Sequence, residues 1–599
     1  MIIEFLDRLQ KIYLEKGTLD NEIIEKIKRE LAKKYQLNEF PPNYEIWLSL
    51  SEKERKKYSN ILKFLKRKPT RTESGVTPVA VMTEPFPCPH GRCIMCPGGK
   101  DSVFGDVPQS YTGKEPATSR AIRNKFDPYL QVFNRLQQYA INLHNFQKVE
   151  VIVMGGTFLS YPENYQEEFI KNIYKALNDF SDLFITKKNS LNEKKFIEFF
   201  EMQTKKETNS LTEKILSLKN KNQTSLVEEQ KRNEKSRIRC VALCIETRPD
   251  FCLKEHINKM LNYGTTRVEI GVQALDDEIL KIIERGHDVK TVIKATQLAK
   301  DSFLKVTYHM MLGLPGSSYE KDLNMFKKLF DDENFRPDAL KIYPCEVIKG
   351  TKLYEMWRSG KYNALELDKT IDLLIRIKQI IPKYCRIMRI QRDIPSNVID
   401  AGIKVTNLRQ ILNNTINELL EIQETENWHK LKDININLSN ELLEMLKNKK
   451  LKRCECIRCR EISRRKIDPK NIKIEFNQIR YKASKGEEIF LELVEKNTDS
   501  LIGFARIRKP YAPFRPEIDN DTLGIRQLHV YGESLNISEK SEKSFQHRGF
   551  GRSLVMEAER IAKEEFQAKK MCIISGVGVR EYYRKIGYSK QGVYMVKKI

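Results

Sequence analysis

The sequence predicts an α/β protein: a partial (β/α) barrel fused to a smaller C-terminal α+β domain, with a basic helical segment in front. Three observations carry this. Between Val149 and Tyr343 short β-rich runs alternate with helical stretches, the pattern of βαβ units and a parallel sheet. Beyond a cysteine cluster at 454–459 the chain changes character, to strands, turns and one helix after QHRGFG. The 599 residues, at roughly 150 per domain, supply about four domains' worth of chain, and one barrel absorbs two of those shares.

The expected units are 1–72 (basic and helical), 73–360 (barrel), 361–465 (helical linker ending in the cysteine cluster) and 466–599 (C-terminal domain). Hydrophobic residues make up 40% and charged residues 31%, which supports real cores and excludes a collagen-like or wholly disordered chain. No apolar run approaches the ~20 residues that span a bilayer, so no membrane partner is expected. The opening MIIEFLDRLQKIYLEKG carries acids and no apolar h-region, and reads as an amphipathic helix rather than a signal peptide. A cytoplasmic protein is expected.

Lys and Arg number 106 against 81 Asp and Glu, a formal charge of +25. With a pI near 9.3, this points to a polyanionic partner, nucleic acid first. Nine of the cations fall between Ser51 and Thr72, among them Lys56, Lys57, Lys66, Arg67 and Arg71. Ile61, Leu62, Phe64 and Leu65 are interleaved at helical spacing, so the segment folds with one basic face suited to phosphates. The strand candidates are 149–154, 238–245, 267–272, 305–312 and 339–343. Residues 181–236 interrupt them with a Lys/Asn/Glu-rich insertion, helical or partly disordered, to which no chemistry is assigned. Helical periodicity returns from about Leu365 to Asn448.

Six of the 12 cysteines fall in two tight clusters, which is metal spacing and not a disulfide framework. CPHGRCIMCPGG places Cys88, Cys93 and Cys96 as C-x4-C-x2-C. Three thiolates on one loop can hold three irons of a [4Fe–4S] cluster and leave the fourth open for S-adenosylmethionine (SAM). A zinc knuckle completed by His90 is the competing reading. The cluster precedes the βα repeats, where a barrel's active-site loops lie. VEVIVMGGT then puts Gly155 and Gly156 at the end of the first strand, where backbone can approach SAM closely.

Together TRTESGVTPVAVMT, CPHGRCIMCPGG, QSYTGKEPATSRAIRNKFDPYLQ, MGGTF, ETRPD, VEIGVQ and HMMLGLPG resemble the catalytic subunit of Elongator in its stand-alone archaeal form. The resemblance covers nearly the whole chain outside 181–236. It implies a radical-SAM partial barrel, a GNAT-type acetyltransferase domain, and modification of the wobble uridine of tRNA. Arg71, Arg120, Arg123 and Lys125 are further candidate contacts to the RNA backbone, with solvent exposure or support of the barrel mouth as the alternative.

RCECIRCREI supplies Cys454, Cys456 and Cys459, which would bind zinc with a fourth ligand from elsewhere. Cys345, at the end of a barrel strand, is the candidate fourth ligand. A second iron–sulfur cluster and free cysteines are the alternatives, and the resemblance implies a structural zinc. In QHRGFG, Gly549 and Gly551 free backbone N–H groups to cradle a pyrophosphate at a helix N-terminus. The strand ending in LHV offers backbone to pantetheine amides. By resemblance, acetyl-CoA is contacted by Gln527, Leu528, His529, Val530, Phe550, Gly551, Arg552 and Tyr583, and by Lys148 from the barrel. Lys148 and Tyr583 are the candidate catalytic residues, Tyr583 as acid or hydrogen-bond donor at the thiolate; one of Tyr582 and Tyr583 is expected to be core. Many relatives have Glu at the position of Gln527, which weakens a general base there.

The joined parts imply a reaction. One electron from the cluster cleaves SAM, the resulting 5′-deoxyadenosyl radical takes hydrogen from the methyl of acetyl-CoA, and the carbon radical adds to C5 of the uridine. Release from CoA leaves a carboxymethyl group. The base must leave any stack, which suits a flipped anticodon-loop nucleotide. The implied partners are the tRNA anticodon stem–loop, acetyl-CoA and an electron donor; a homodimer is compatible with the sequence. A protein lysine acetyltransferase with a structural iron–sulfur domain is the competing function, and an RNA-binding scaffold the third.

Overall fold

Seven β-rich segments of the first 400 residues line up in parallel because each is followed by a helical crossover long enough to return the chain. A computed structural model describes residues 1–66, 72, 74–202, 208–465, 467, 472–532 and 549–599. In it β1 (Thr77–Met82), β4 (Lys148–Met154), β5 (Arg239–Thr247), β6 (Arg267–Gln273), β7 (Lys305–Leu312), β8 (Ala339–Pro344) and β9 (Arg386–Arg389) form one sheet in the order β1-β4-β5-β6-β7-β8-β9. All six pairings are parallel. A small hairpin, β2 (Gly99–Ser102) with β3 (Gly105–Val107), follows the first cysteine loop. The sheet runs past the expected boundary at 360, because the helix Leu367–Ile380 is one more crossover that delivers β9.

The expected insertion is largely built structure. The helix Glu163–Phe184 carries on past residue 181, and helices Glu193–Phe199, Thr208–Asn220 and Leu226–Lys235 follow it; 203–207 lie outside the described residues. Phe180 and Phe184 pack edge-on against Phe133, Phe200 tilts against it, and Phe196 packs edge-on against Phe184, a cluster that the polar composition hid. Glu234 from the last of these helices pairs with Arg580 at 3.0 Å and Arg584 at 2.7 Å, tying the insertion to the C-terminal domain.

That domain is a second seven-stranded sheet: β10 (Ile474–Ala483), β11 (Gly486–Glu495), β12 (Ser500–Lys509), β13 (Thr522–Val530), β14 (Lys570–Ile573), β16 (Tyr594–Lys598) and β15 (Ser589–Gln591), in that spatial order. Only β13 and β14 pair in parallel, and only over Thr522–Ile525. Beyond Ile525 the two strands part, so Arg526–His529 has no strand partner on that side among the described residues, while β12 pairs the other.

The two sheets meet through buried charge. Arg526, fully buried, pairs with Asp338 of the barrel at 2.6 Å and with Glu488 of β11 at 3.0 Å. Arg508 reaches Asp301 at 2.5 Å, and Arg506 donates to the Tyr384 carbonyl at 2.6 Å. Gly576 is where the backbones touch: a Cβ there would lie 2.0 Å from the Val241 carbonyl oxygen. Among the described residues no helix is long and apolar enough to cross a membrane.

Candidate functional site

The barrel carries a cavity at each end. Cys88, Cys93 and Cys96 line the one at the C-terminal ends of the strands, of about 160 Å³. The Cys93 sulfur lies 3.1 Å from His90 Nε2 and 3.6 Å from Arg285 Nη1, and Cys96 accepts from the Ser110 N–H at 3.1 Å. His90 sits inside the loop as a neighbour of Cys93, and burial pushes its pKa down to about 4, so its ring is neutral. The three sulfurs do not gather within 4.8 Å of one another, unlike the trio at 454–459. A cluster that gives each thiolate its own iron needs that wider spread, so this loop suits iron–sulfur ligation better than one zinc.

Gly155 and Gly156 divide their work. Both have left-handed φ, +123° and +107°. A Cβ on Gly155 would strike Thr83 Oγ1 at 2.2 Å, so this glycine lets β1 and β4 end side by side. Gly156 faces Gln109 and lines the cavity, which leaves the cofactor approach to it and to Thr157.

The sequence reading missed the charged wall of this cavity. Glu246, Glu269, His309 and Lys341 come from four adjacent strands, each at an inward-facing position. Glu269 meets His309 Nε2 at 2.8 Å and also Lys341, which reaches Glu246 at 2.9 Å. Burial works to raise the Glu269 carboxyl, but Lys341 and Arg267 hold it well below the usual range. The two glutamates and His309 could crowd a metal ion, but the Lys341 ammonium already stands between the carboxylates. Charged residues at alternate strand positions were the available signal.

At the other end, a cavity of about 990 Å³ lies between the N-terminal ends of the barrel strands and the C-terminal sheet. Lys148, Gln527, Leu528, His529, Val530, Phe550, Gly551, Arg552 and Tyr583 all line it, together with Glu150, Arg267 and Lys305, which the sequence reading did not single out. The helix Phe550–Phe566 points its N-terminus at the cavity, with Gly549 in left-handed conformation as its cap. Gln546 lies outside the described residues. These features suit an acyl-CoA: a free strand edge for the pantetheine and a helix N-terminus for the pyrophosphate. Gln527 is engaged with Arg506 Nε at 3.1 Å. Both tyrosines reach the wall. Tyr583 is buried, and the Tyr582 hydroxyl is buried without a hydrogen-bond partner among the described residues, 3.1 Å from where a Cβ on Gly551 would stand.

Cys454, Cys456 and Cys459 bring their sulfurs within 4.8 Å of one another. Cys454 and Cys459 donate to Cys456 and hold it well below the ordinary thiol range, the behaviour of a thiolate donor set. Cys345 is not among them. It is fully buried beside Tyr362, where burial raises its pKa to about 12, and its sulfur does not join the group of three, so the structure does not show the expected clamp between Cys345 and the trio. No other His, Cys, Asp or Glu among the described residues joins the trio within that distance.

Of the candidate tRNA contacts, Lys56 and Lys57 are exposed and paired with Glu52 at 2.7 Å and Asp7 at 3.5 Å. Lys66 and Arg120 are half-buried, and Arg123 and Lys125 are exposed beside the helix Pro116–Arg123, whose start lines the radical-side cavity. Arg67 and Arg71 lie outside the described residues.

Family models match along the chain: the ELP3 N-terminal domain over 9–73, the radical SAM superfamily over 84–329, the radical SAM C-terminal domain over 337–419 and the acetyltransferase (GNAT) family over 458–588. Fold and site thus define a radical-SAM half-barrel fused to a GNAT acetyltransferase. The chain is 45% identical to the tRNA uridine(34) acetyltransferase of Methanocaldococcus infernus, over 99% of this chain and 98% of that protein. It is 38% identical to human Elongator complex protein 3, over 96% and 93%. The solved M. infernus Elp3 with an N-terminal deletion matches with a TM-score of 0.66 at 40% identity, covering 88% of this chain and 100% of that one. The chain belongs to the Elongator protein 3 family of tRNA uridine(34) acetyltransferases.

Proposed function

We propose that this protein installs a 5-carboxymethyl group on the wobble uridine of tRNA, drawing the two carbons from acetyl-CoA. The observation that carries the reading is one barrel with a three-thiol loop at one mouth and an acyl-CoA-shaped cavity at the other. Cys88, Cys93 and Cys96 would hold a [4Fe–4S] cluster, and Gly156 with Thr157 would admit SAM beside it. The bound pair supplies a 5′-deoxyadenosyl radical, and a reductant from outside the chain supplies the electron.

The chain's own residues do the positioning. The strand edge at Gln527–His529 and the helix starting at Phe550 orient the donor, and Lys148 stands at its acyl end. Tyr583 and Tyr582 flank the same wall, where a hydroxyl can donate to a leaving thiolate. Lys56, Lys57, Lys66, Arg67 and Arg71 would bind tRNA phosphates on the N-terminal segment, and Arg120, Arg123 and Lys125 would do so near the radical-side cavity. Cys454, Cys456 and Cys459 would hold a structural zinc. The reading needs a single chain, works with a homodimer, and fits a cytoplasmic setting.

A lysine acetyltransferase needs an open groove where a peptide amine can meet the thioester. Here Lys148, Glu150 and Arg267 of the barrel line the cavity, and the three-thiol loop would have no part in such a transfer, which argues against the alternative. The test is anaerobic reconstitution, incubation of tRNA with SAM, acetyl-CoA and reductant, and mass spectrometry of the digested RNA beside a Cys96→Ala variant. Carboxymethyluridine from the wild type alone is expected. Unmodified tRNA from an intact cluster, with lysine acetylation instead, would overturn the proposal.

A further inference from the structure

Barrel interiors are ordinarily filled by branched apolar side chains. This one is not. On β4 the outward Val149, Val151 and Val153 are fully buried, while the inward Lys148, Glu150, Ile152 and Met154 are only half-buried. Glu150 pairs with Arg267 at 2.9 Å, Arg267 with Glu269 at 3.1 Å, Glu269 with Lys341, and Lys341 with Glu246 at 2.9 Å. Glu150 and Arg267 line the acyl-CoA-side cavity; Glu269, Lys341 and Glu246 line the radical-side cavity. A continuous file of ion pairs therefore runs through the barrel, and Arg267 and Glu269, two residues apart on β6, stand where the lining of one cavity gives way to that of the other.

Such a file is not the cheapest filling, since apolar side chains of similar volume are often as stable as buried ion pairs or more so. It is also under-bonded. Arg267 Nε and Nη2, Glu269 Oε1 and Thr307 Oγ1 are buried without hydrogen-bond partners, and Thr307 stands opposite Glu269 in the strand register. Two of those atoms, Arg267 Nη2 and Glu269 Oε1, face each other at 3.1 Å, which meets the distance of an ion pair but not the geometry of a hydrogen bond. Each partner has a second counter-ion on its own side: Glu150 for Arg267, Lys341 for Glu269. Either side chain can therefore turn from the other and keep a counter-ion.

Resting on the proposed use of both cavities, we propose that Arg267 and Glu269, successive inward residues of one strand, form a gate on the wall of the barrel, and that the acyl end of bound acyl-CoA passes beside them to reach the radical-side cavity. The thioester carbonyl would accept from the unpartnered nitrogens of Arg267 as it enters.

Two measurements test this. Cluster-free protein is titrated calorimetrically with acetyl-CoA and hexanoyl-CoA. The wild type should bind hexanoyl-CoA at least about tenfold more weakly, because the gate closes the cavity beyond a short acyl group. An Arg267→Ser/Glu269→Ser pair, which removes both charges together, should bind the two within about threefold. An unchanged preference in that variant would overturn the gate. Then reconstituted protein is given SAM, reductant and acetyl-CoA carrying a CD3 group, and deuterium is measured in 5′-deoxyadenosine, where one C–D bond is broken at the methyl and one is formed at the 5′ carbon. Ala242→Phe, which removes no ion pair, narrows the passage from the neighbouring strand. It should cut the deuterium transfer at least about tenfold relative to the wild type, and undiminished transfer would overturn the route. No deuterium transfer from the wild type would count against the proposed function and leave the chain-length result to decide the gate.

Discussion

The seam between the two sheets makes a quantitative prediction about charge. Lys300, Arg506, Arg508 and Arg526 face Asp301, Asp338 and Glu488, all seven buried. Arg526→Met reduces four cations against three carboxylates to three against three. Asp338→Asn leaves four against two and strips Arg526 of its shorter partner, at 2.6 Å. Breaking a buried pair costs roughly 3–5 kcal/mol because the surviving charge is uncompensated. Arg526→Met should lie near the low end, about 3 kcal/mol, and Asp338→Asn near the high end, about 5 kcal/mol. The double variant should cost about 1–3 kcal/mol less than the sum, since the two share one network. Burial lowers the Lys300 pKa to about 8, while Asp338 and Glu488 support its charge, so losing Asp338 lowers it further and the Asp338→Asn deficit should narrow as the pH rises toward about 8 and stay level above it. Urea unfolding followed by far-UV circular dichroism ranks the three variants. If Arg526→Met proves more damaging than Asp338→Asn, counting charges in this seam is the wrong account.

Gly155→Ala should destabilise the fold by at least about 1–3 kcal/mol, since it combines left-handed backbone with a collision against Thr83, and a thermal melt would register it. Gly156→Ala meets only Gln109, at 3.4 Å, so its distinguishing effect should be weaker SAM binding, about tenfold or 1.4 kcal/mol, read by equilibrium dialysis on reconstituted protein. Burial lowers the Lys305 pKa to about 7, with Arg267 adding to the shift, so the folded state binds fewer protons than the unfolded one between that pH and the ordinary lysine value of 10.5. This stability penalty is full below about pH 7 and relieved as pH rises through that window, and Lys305→Met should flatten the rise. Elemental analysis should find about one zinc per chain, lost in Cys456→Ser and retained in Cys345→Ser; loss in the second would restore Cys345 as a ligand.

Local patterns were legible because their physics is local. The C-x4-C-x2-C loop, the glycine pair after β4 and the Gly549 cap each depend on a few consecutive residues, and each stands where its spacing implied. The alternation of helix and strand likewise announced a parallel sheet, because crossover length and strand period are written along the chain. Even so, the polar insertion hid a phenylalanine cluster, since averaged composition conceals a few well-placed rings.

What the chain alone could not decide was which distant residues meet. Cys345 was a reasonable partner for Cys454, Cys456 and Cys459 by residue type, yet packing seats it beside Tyr362. Arg267, Glu269, His309 and Lys341 are ordinary charged residues in three β-rich segments until β6, β7 and β8 align in register and turn them into one enclosed file. The sequence by itself determined the kind of element and the donor atoms each segment can offer. Which face of each strand became the barrel's interior, and what fills it, was decided only when sheet closure and the docking of the second domain buried those charges together, because burial is a property of the assembled surfaces and not of any one segment.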